Sequence, residues 1–119
     1  MNEISIEEFR NGFKKPKPHK YNAKKTIVDG ITFPSKLEAK YYHYLKLKKQ
    51  GGCIAYFLRQ IPFQLPGNTK YFVDFMIVDS EGKIEFVDVK GKPTSMSILK
   101  IKQVEDLYHP IKINIISKF

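Results

Sequence analysis

Two apolar segments of the chain, "YFVDFMIVD" and "KIEFVDVK", each contain an aspartate where a buried strand would hold an apolar side chain. Because side chains alternate between the two faces of a strand, Asp88 and Lys90 share a face with Ile84 and Phe86. Carboxylate oxygens suit Mg²⁺ or Mn²⁺, so aspartates gathered from two strands are candidates for binding a divalent cation. Asp74, Asp88 and Lys90 are therefore the first candidates for chemistry.

The three residues between these segments, Ser80-Glu81-Gly82, predict how the two strands pair. They suit a type I turn closed by a glycine in the left-handed region. This register places Asp74 directly opposite Asp88, with Cβ atoms about 4.5–5.5 Å apart. Like charges so placed are destabilising, and we expect a divalent cation to compensate them. The alternative is that Lys90 neutralises one aspartate while the other reaches solvent.

The same register makes two further predictions about the side chains near the aspartates. It pairs Phe72 with Lys90 on the face that carries both carboxylates. It places Val73 on the opposite face, together with Phe75. Both faces of the hairpin are then largely apolar, as in a sheet covered by helices on both sides.

Apolar periodicity and turn signals predict the elements that must position this hairpin. The first elements in chain order are a short β-hairpin around Asp29-Gly30, a helix within 34–52 capped by Ser35, and a strand over 53–60. A loop or broken edge strand over 61–68 leads into the two strands that carry the aspartates. A helix over 95–108, capped by Thr94 or Ser95, and a strand over 111–116 complete the chain. Ile98, Ile101 and Val104 are expected to face inward, and Cys53 is expected to be buried. This order predicts an α/β domain with a mixed four-stranded sheet flanked by two helices.

Basic side chains outnumber acidic ones by 21 to 12, so the formal net charge is +9. Such a charge favours a polyanionic partner, either nucleic acid or an anionic membrane surface, and simple solubility is the plain alternative. No apolar run approaches the ~18 residues of a membrane span, and a single cysteine suits a reducing cytoplasm. The length of 119 residues suits one domain, here over 26–119, after a basic and partly disordered arm over 1–25.

Lysine supplies 19 of the 21 basic residues, and lysine acts mainly as a point charge on phosphate. We therefore expect contacts with a nucleic-acid backbone that do not read bases. The lysines expected to make these contacts are Lys14, Lys15, Lys17, Lys20, Lys24, Lys25, Lys92, Lys100 and Lys102.

An acidic residue in one strand followed by Asp-x-Lys in the next resembles the motif of the PD-(D/E)XK nuclease superfamily. Asp74 matches the first acidic position, Asp88-Val89-Lys90 matches the second motif, and Glu38 matches a glutamate often found on the first core helix. The order of elements over 33–117 also matches, so the resemblance implies a restriction-endonuclease-like core. Small phage-type nucleases and archaeal-type Holliday-junction resolvases look most similar. Val73 stands where the family pattern has a proline, and Asp88 is one methylene shorter than the commoner glutamate.

The resemblance implies an endonuclease that depends on Mg²⁺ or Mn²⁺. The implied metal ligands are Asp74, Asp88, Glu38 and the carbonyl of Val89. Lys90 would orient or deprotonate the attacking water, or stabilise charge in the transition state. Gln60 would position Lys90 or a water molecule.

The implied substrate is DNA, in particular a branched form such as a Holliday junction, cut by a homodimer in phage recombination or repair inside a bacterial cell. A restriction- or transposition-type endonuclease subunit is the alternative on the same fold. Transposon-type subunits are similar in a Q-x-P pattern, here Gln60-Ile61-Pro62. A noncatalytic nucleic-acid-binding module is the alternative from a different class.

Overall fold

The computed structural model describes residues 25–119. The predictions for residues 1–24, which include Lys14, Lys15, Lys17, Lys20 and Lys24, lie outside the described residues. The elements in chain order are β1 Thr26–Val28, β2 Ile31–Phe33, α1 Lys36–Gln50, β3 Ile54–Leu65, β4 Thr69–Asp79, β5 Ile84–Val89, α2 Ser95–Leu107 and β6 Ile113–Ile116.

One four-stranded sheet carries the Asp-x-Lys motif on its third strand. Its strand order is β3-β4-β5-β6, with antiparallel pairing as far as β5 and parallel pairing between β5 and β6. Helix α2 makes the crossover that a parallel pair requires. Strands β1 and β2 form a separate two-stranded hairpin. The predicted α/β class, mixed sheet, two helices and short hairpin are confirmed.

The turn between β4 and β5 has the predicted form. Gly82 has a φ of 87°, the left-handed conformation that glycine adopts without steric cost. The backbone N–H of Asp79 donates to the carbonyl of Lys83 at 2.9 Å, which sets the register. The Asp79 carboxylate accepts the N–H groups of Lys83 and Glu81, and these bonds lower its pKa. The next pairs run from Val78–Ile84 to Phe75–Val87, as the register predicted.

Two hydrophobic cores lie on opposite sides of the sheet, each beneath one helix. The α1 core consists of Phe33, Ala39, Tyr41, Tyr42, Leu45, Ile54, Phe75, Ile77, Val87 and Val89. The α2 core consists of Leu65, Val73, Phe86, Ile101, Val104 and Ile113. Phe86 and Val87 are neighbours on β5 that enter different cores, as alternation on a doubly covered strand requires.

The β4–β5 ladder ends at Phe75–Val87, so the predicted pair of Phe72 with Lys90 is wrong. The predicted face of Val73 is wrong as well, because Val73 packs in the α2 core while Phe75 packs in the α1 core. Two residues apart on β4, Val73 and Phe75 thus point to opposite sides of the sheet, although regular alternation would place them on the same side. This change of face falls on Asp74, where the regular pairing of β4 with β5 ends.

Strand β3 changes face at the same level. Phe57 packs against the α1 core and Ile61 against the α2 core, although both occupy odd positions of one strand. Between them, Gln60 has a φ of 52°, in the left-handed region that non-glycine residues rarely adopt. The β3–β4 register continues on both sides, but no pair joins residues 60 and 74. The strand pair is thus bent at the position of the first candidate aspartate.

Both helices begin at capping side chains that the sequence indicated. The Ser35 hydroxyl accepts the N–H of Glu38 at 3.1 Å, so the cap of α1 also places that glutamate. Thr94, rather than Ser95, caps α2 in a reciprocal capping box with Ser97. Ile98 is 41% exposed on α2 and does not face inward as predicted.

Two further expectations, one at each end of β3, need correction. The segment over 61–68 was expected to be a loop or a broken edge strand; β3 is an edge strand and 66–68 is a turn, but the strand is not broken at Pro62 and continues to Leu65. A proline is tolerated there because β3 is an edge strand, whose outer N–H groups need no partner. Cys53 is exposed rather than buried. Neither helix within residues 25–119 is both long and apolar enough to cross a membrane.

Phe75→Ala should lower the free energy of unfolding by about 3–5 kcal/mol, because it leaves a cavity in the α1 core. Phe75 is 0% exposed and packs on the rings of Tyr41 and Phe57. The matched control is Phe72→Ala on the same strand, which should cost much less because Phe72 is 49% exposed. Urea denaturation measures both changes, and equal losses would contradict the assigned difference in burial between Phe75 and Phe72.

Candidate active site

A cleft of about 350 Å³ lies where the start of α1, the end of β5 and the start of α2 meet. Its lining includes two carboxylates and two lysines, namely Glu38, Asp74, Lys90 and Lys92, together with Val89. The change of face on β4 brings Asp74 to this cleft, and the cap at Ser35 places Glu38 there. The structure thus gathers most of the residues predicted from the motif, although they are distant in sequence.

Two backbone-to-carboxylate hydrogen bonds join Asp74 on β4 to Asp88 and Val89 on β5. The backbone N–H of Asp74 donates to Asp88 Oδ1 at 2.9 Å. The backbone N–H of Val89 donates to Asp74 Oδ2 at 2.9 Å. These bonds replace the ladder beyond Phe75, so the aspartates do not form the simple opposed pair that the register predicted. Each carboxylate is stabilised by an N–H group of the other strand, which partly compensates their repulsion.

Asp88 is 0% exposed and is held by three groups. Besides the N–H of Asp74, it accepts a hydrogen bond from the Tyr71 hydroxyl. Its Oδ2 lies 3.8 Å from Lys90 Nζ, which also lies 5.9 Å from the centre of the Tyr71 ring. Burial and the bond to Asp88 raise the pKa of Tyr71, so its hydroxyl remains a donor. Lys90 therefore has two roles: its ammonium group compensates the charge of Asp88, and its side chain lines the cleft.

Glu38 is a nearly buried carboxylate, 3% exposed, with an incomplete set of partners. Its Oε2 lies 3.9 Å from Arg59 Nη2 and accepts no hydrogen bond within residues 25–119. Burial is the main cause that raises the pKa of Glu38 to about 7; the nearby Asp74 contributes to the rise, and Arg59 opposes it. A buried carboxyl with a vacant acceptor is costly unless a ligand or proton satisfies it.

Asp74 also has a perturbed pKa. Its pKa is raised to about 6, mainly by burial; the hydrogen bond from the N–H of Val89 opposes the rise, and the charge of Asp88 contributes to it. Gln60 Nε2 donates to Asp74 Oδ1 at 3.4 Å. Gln60 therefore contacts the aspartate rather than Lys90, the partner first expected for it. Perturbed carboxyl groups that share a cleft are typical of functional sites.

The carboxylate oxygens at the cleft are chemically suited to bind a hard divalent cation. Glu38 Oε2 has an unfilled acceptor position, Asp74 lies at the cleft, and oxygen ligands suit Mg²⁺ and Mn²⁺. Within residues 25–119, however, no three His, Cys, Asp or Glu side chains are spaced as a ready-made metal site. The engagement of Asp88 with Tyr71 and Lys90 accounts for this, because that carboxylate does not line the cleft.

Of the lysines predicted to bind DNA, Lys92 lies at the cleft and is exposed. Lys100 and Lys102 lie on α2, and Lys25 lies just before β1; none of these three lines the cleft. Two residues of the site, Tyr71 and Arg59, were not predicted. Strict alternation places Tyr71 on the wrong face, and only the bend in β4 brings it to Asp88.

Glu38→Gln should stabilise the protein at pH 8 by roughly 3 kcal/mol and change its stability little at pH 5. A raised pKa means that the folded state binds more protons than the unfolded state between pH 4.5 and 7. Wild-type stability is therefore lost as the pH rises through that window, and the glutamine variant lacks this loss. Urea denaturation at both pH values measures it, with the exposed Glu81→Gln as control. A difference that does not depend on pH would contradict the assigned ionisation.

Comparison with known proteins gives a family but no named relative. Searches of curated proteins and of solved structures found no match. The family model described as "Protein of unknown function (DUF1064)" matches residues 18–119. The match includes all eight elements and every residue of the cleft. Because it covers most of the 119 residues, the chain belongs to the DUF1064 family.

Proposed function

We propose that this protein is a metal-dependent DNA endonuclease that hydrolyses phosphodiester bonds. The observation that carries the proposal is the meeting of Glu38, Asp74 and Lys90 at one cleft, with Asp88 directly behind it. Two carboxyl groups with raised pKa values and a lysine form an acid–base set of the kind that is typical of functional sites. The net charge of +9 supports a polyanionic substrate.

The cleft supplies oxygen ligands for Mg²⁺ or Mn²⁺. Glu38, Asp74 and the carbonyl of Val89 would hold the ion, and Asp88 would support it from behind. When bound, such an ion lowers the pKa of a coordinated water and neutralises charge on the phosphate. The carboxylates must be deprotonated to act as ligands, so binding should strengthen as the pH rises through about 6 and 7.

The remaining chemistry falls to the chain's own groups. Lys90 Nζ reaches the cleft from a fixed position beside Asp88, where it can hold a phosphate oxygen or orient the attacking water. Gln60 would fix the orientation of Asp74 through its side-chain amide. Lys92 would contact a phosphate at the exposed rim of the cleft.

The proposed substrate is branched DNA, and the proposed assembly is a homodimer. Lysine outnumbers arginine by 19 to 2, which favours recognition of the backbone over bidentate reading of guanine. Two active sites related by a two-fold axis would suit paired cuts in two duplex arms. Such an enzyme would act in phage recombination or repair, in the reducing cytoplasm of a bacterial cell.

Asp74→Asn should lower DNA cleavage at least about a hundredfold, because it removes a metal ligand. The variant should stay folded, since the asparagine oxygen can still accept the N–H of Val89. The matched control is Asp106→Asn, which removes an exposed carboxylate of α2 outside the cleft and should cleave normally. Nicking of a supercoiled plasmid with Mg²⁺, with Mn²⁺ and with EDTA measures the effect.

Three results of that assay would reject the proposal: cleavage that persists in EDTA, cleavage by Asp74→Asn at the wild-type rate, or no cleavage of any DNA with either metal. The last result, together with tight DNA binding, would identify a noncatalytic binding module instead.

Junction preference is tested with a four-way junction, a flap and a linear duplex that share one sequence. We expect the junction to be bound and nicked faster than the linear duplex, because backbone recognition responds to DNA shape. The solution mass, measured by light scattering, should be that of a dimer. Efficient cutting of the linear duplex at one short sequence would favour the restriction-type alternative.

A further inference from the structure

A second cleft of about 500 Å³ lies near the end of α1. Three basic side chains line it, Lys46, Lys49 and Arg59, together with Gln50 and the rings of Tyr42 and Phe57. None of these residues belongs to the predicted DNA-binding set or to the catalytic motif. The cleft combines hydrogen-bond donors with aromatic and apolar walls, which is the chemistry that recognises a nucleotide strand.

The charges in this cleft are only partly neutralised. Lys46 Nζ lies 2.6 Å from Asp29, which also accepts the Tyr42 hydroxyl at 2.9 Å. Lys49 is exposed and forms no salt bridge within residues 25–119. Arg59 faces its nearest carboxylate at 3.9 Å, and its Nε has no hydrogen-bond partner within the same range. Lys49 therefore carries a positive charge that an anion could neutralise, and Arg59 Nε offers an unused hydrogen-bond donor.

Arg59 joins this cleft to the catalytic one. Its guanidinium lies 4.6 Å from the centre of the Phe33 ring, so the side chain is held in place. It lines the second cleft, while its Nη2 faces Oε2 of Glu38, which lines the catalytic cleft. The two clefts thus meet at one ion pair. A strand bound at the catalytic cleft has a charged, partly aromatic path beside it.

We propose that the second cleft binds a phosphate of the same nucleic-acid strand whose scissile bond lies at the catalytic cleft. The inference rests on the proposed function for the position of that bond. Lys49 supplies the free charge, and Arg59 supplies a donor beside the active site. The rings of Tyr42 and Phe57 provide an apolar wall for the sugar or base next to the bound phosphate.

The test compares Lys49→Ala with Lys48→Ala in the full chain. Both substitutions remove one positive charge from the last turn of α1. Lys48 Nζ instead lies 5.3 Å from the centre of the Tyr44 ring and does not line the cleft. Binding of a fluorescent oligothymidylate is followed by anisotropy at several salt concentrations in EDTA, so no catalysis is needed. Lys49→Ala should lower the slope of log affinity against log salt by about 0.7, and Lys48→Ala should leave it unchanged.

Equal slopes for both variants, or no binding by the wild-type chain, would overturn the inference. Its failure is distinguishable from that of the proposed function, because the binding assay contains no divalent metal. A chain that cleaves DNA but shows equal slopes keeps its function and loses the second site. A chain that shows the expected slopes but cleaves nothing keeps the site as a binding cleft.

Discussion

The site depends on two backbone-to-carboxylate hydrogen bonds, in which the N–H of Asp74 donates to Asp88 and the N–H of Val89 donates to Asp74. Two carboxylates on adjacent strands repel each other, and a regular ladder would leave that repulsion uncompensated. In the structure, the regular pairing of β4 with β5 ends at Phe75, and the backbone N–H groups beyond it donate to the carboxylates instead. Hydrogen bonds to charged groups contribute about 1.5–3 kcal/mol each, enough to offset much of the repulsion. The regular ladder ends there, and Asp74 and Val89 line the cleft beside its end.

The carboxylate of Glu38 has fewer hydrogen bonds and a more distant ion-pair partner than its burial requires. Glu38 is buried with one oxygen that has no hydrogen-bond partner within the described residues, and its ion-pair partner Arg59 stands 3.9 Å away. A core optimised for stability would hold an apolar residue or a fully bonded one at that position. Departures of this kind concentrate where a protein uses a residue for something other than folding. The cost at Glu38 therefore supports a functional role for it, and the well-bonded Asp88 resembles a structural support.

Most of the fold followed from local sequence signals, and the site followed only in part. Gly82 and the three-residue loop predicted the hairpin register, and Ser35 predicted where α1 begins, because both signals act within a few residues. The bend at Gln60 and Asp74 was not predictable in this way. Alternation along a strand assumes a regular backbone, and nothing near Gln60 indicates its positive φ. That one irregularity accounts for the errors at Phe72 and Val73.

The bend also affects the free edge of the sheet. No strand of residues 25–119 pairs with the outer side of β3, and an exposed edge of twelve residues is a template for aggregation. Pro62 removes one N–H group from that edge, and the left-handed Gln60 turns the backbone away from a straight ladder two residues earlier. A second chain could pair with only a short stretch on either side. The irregularity that positions Asp74 therefore also protects the edge strand from pairing with other molecules.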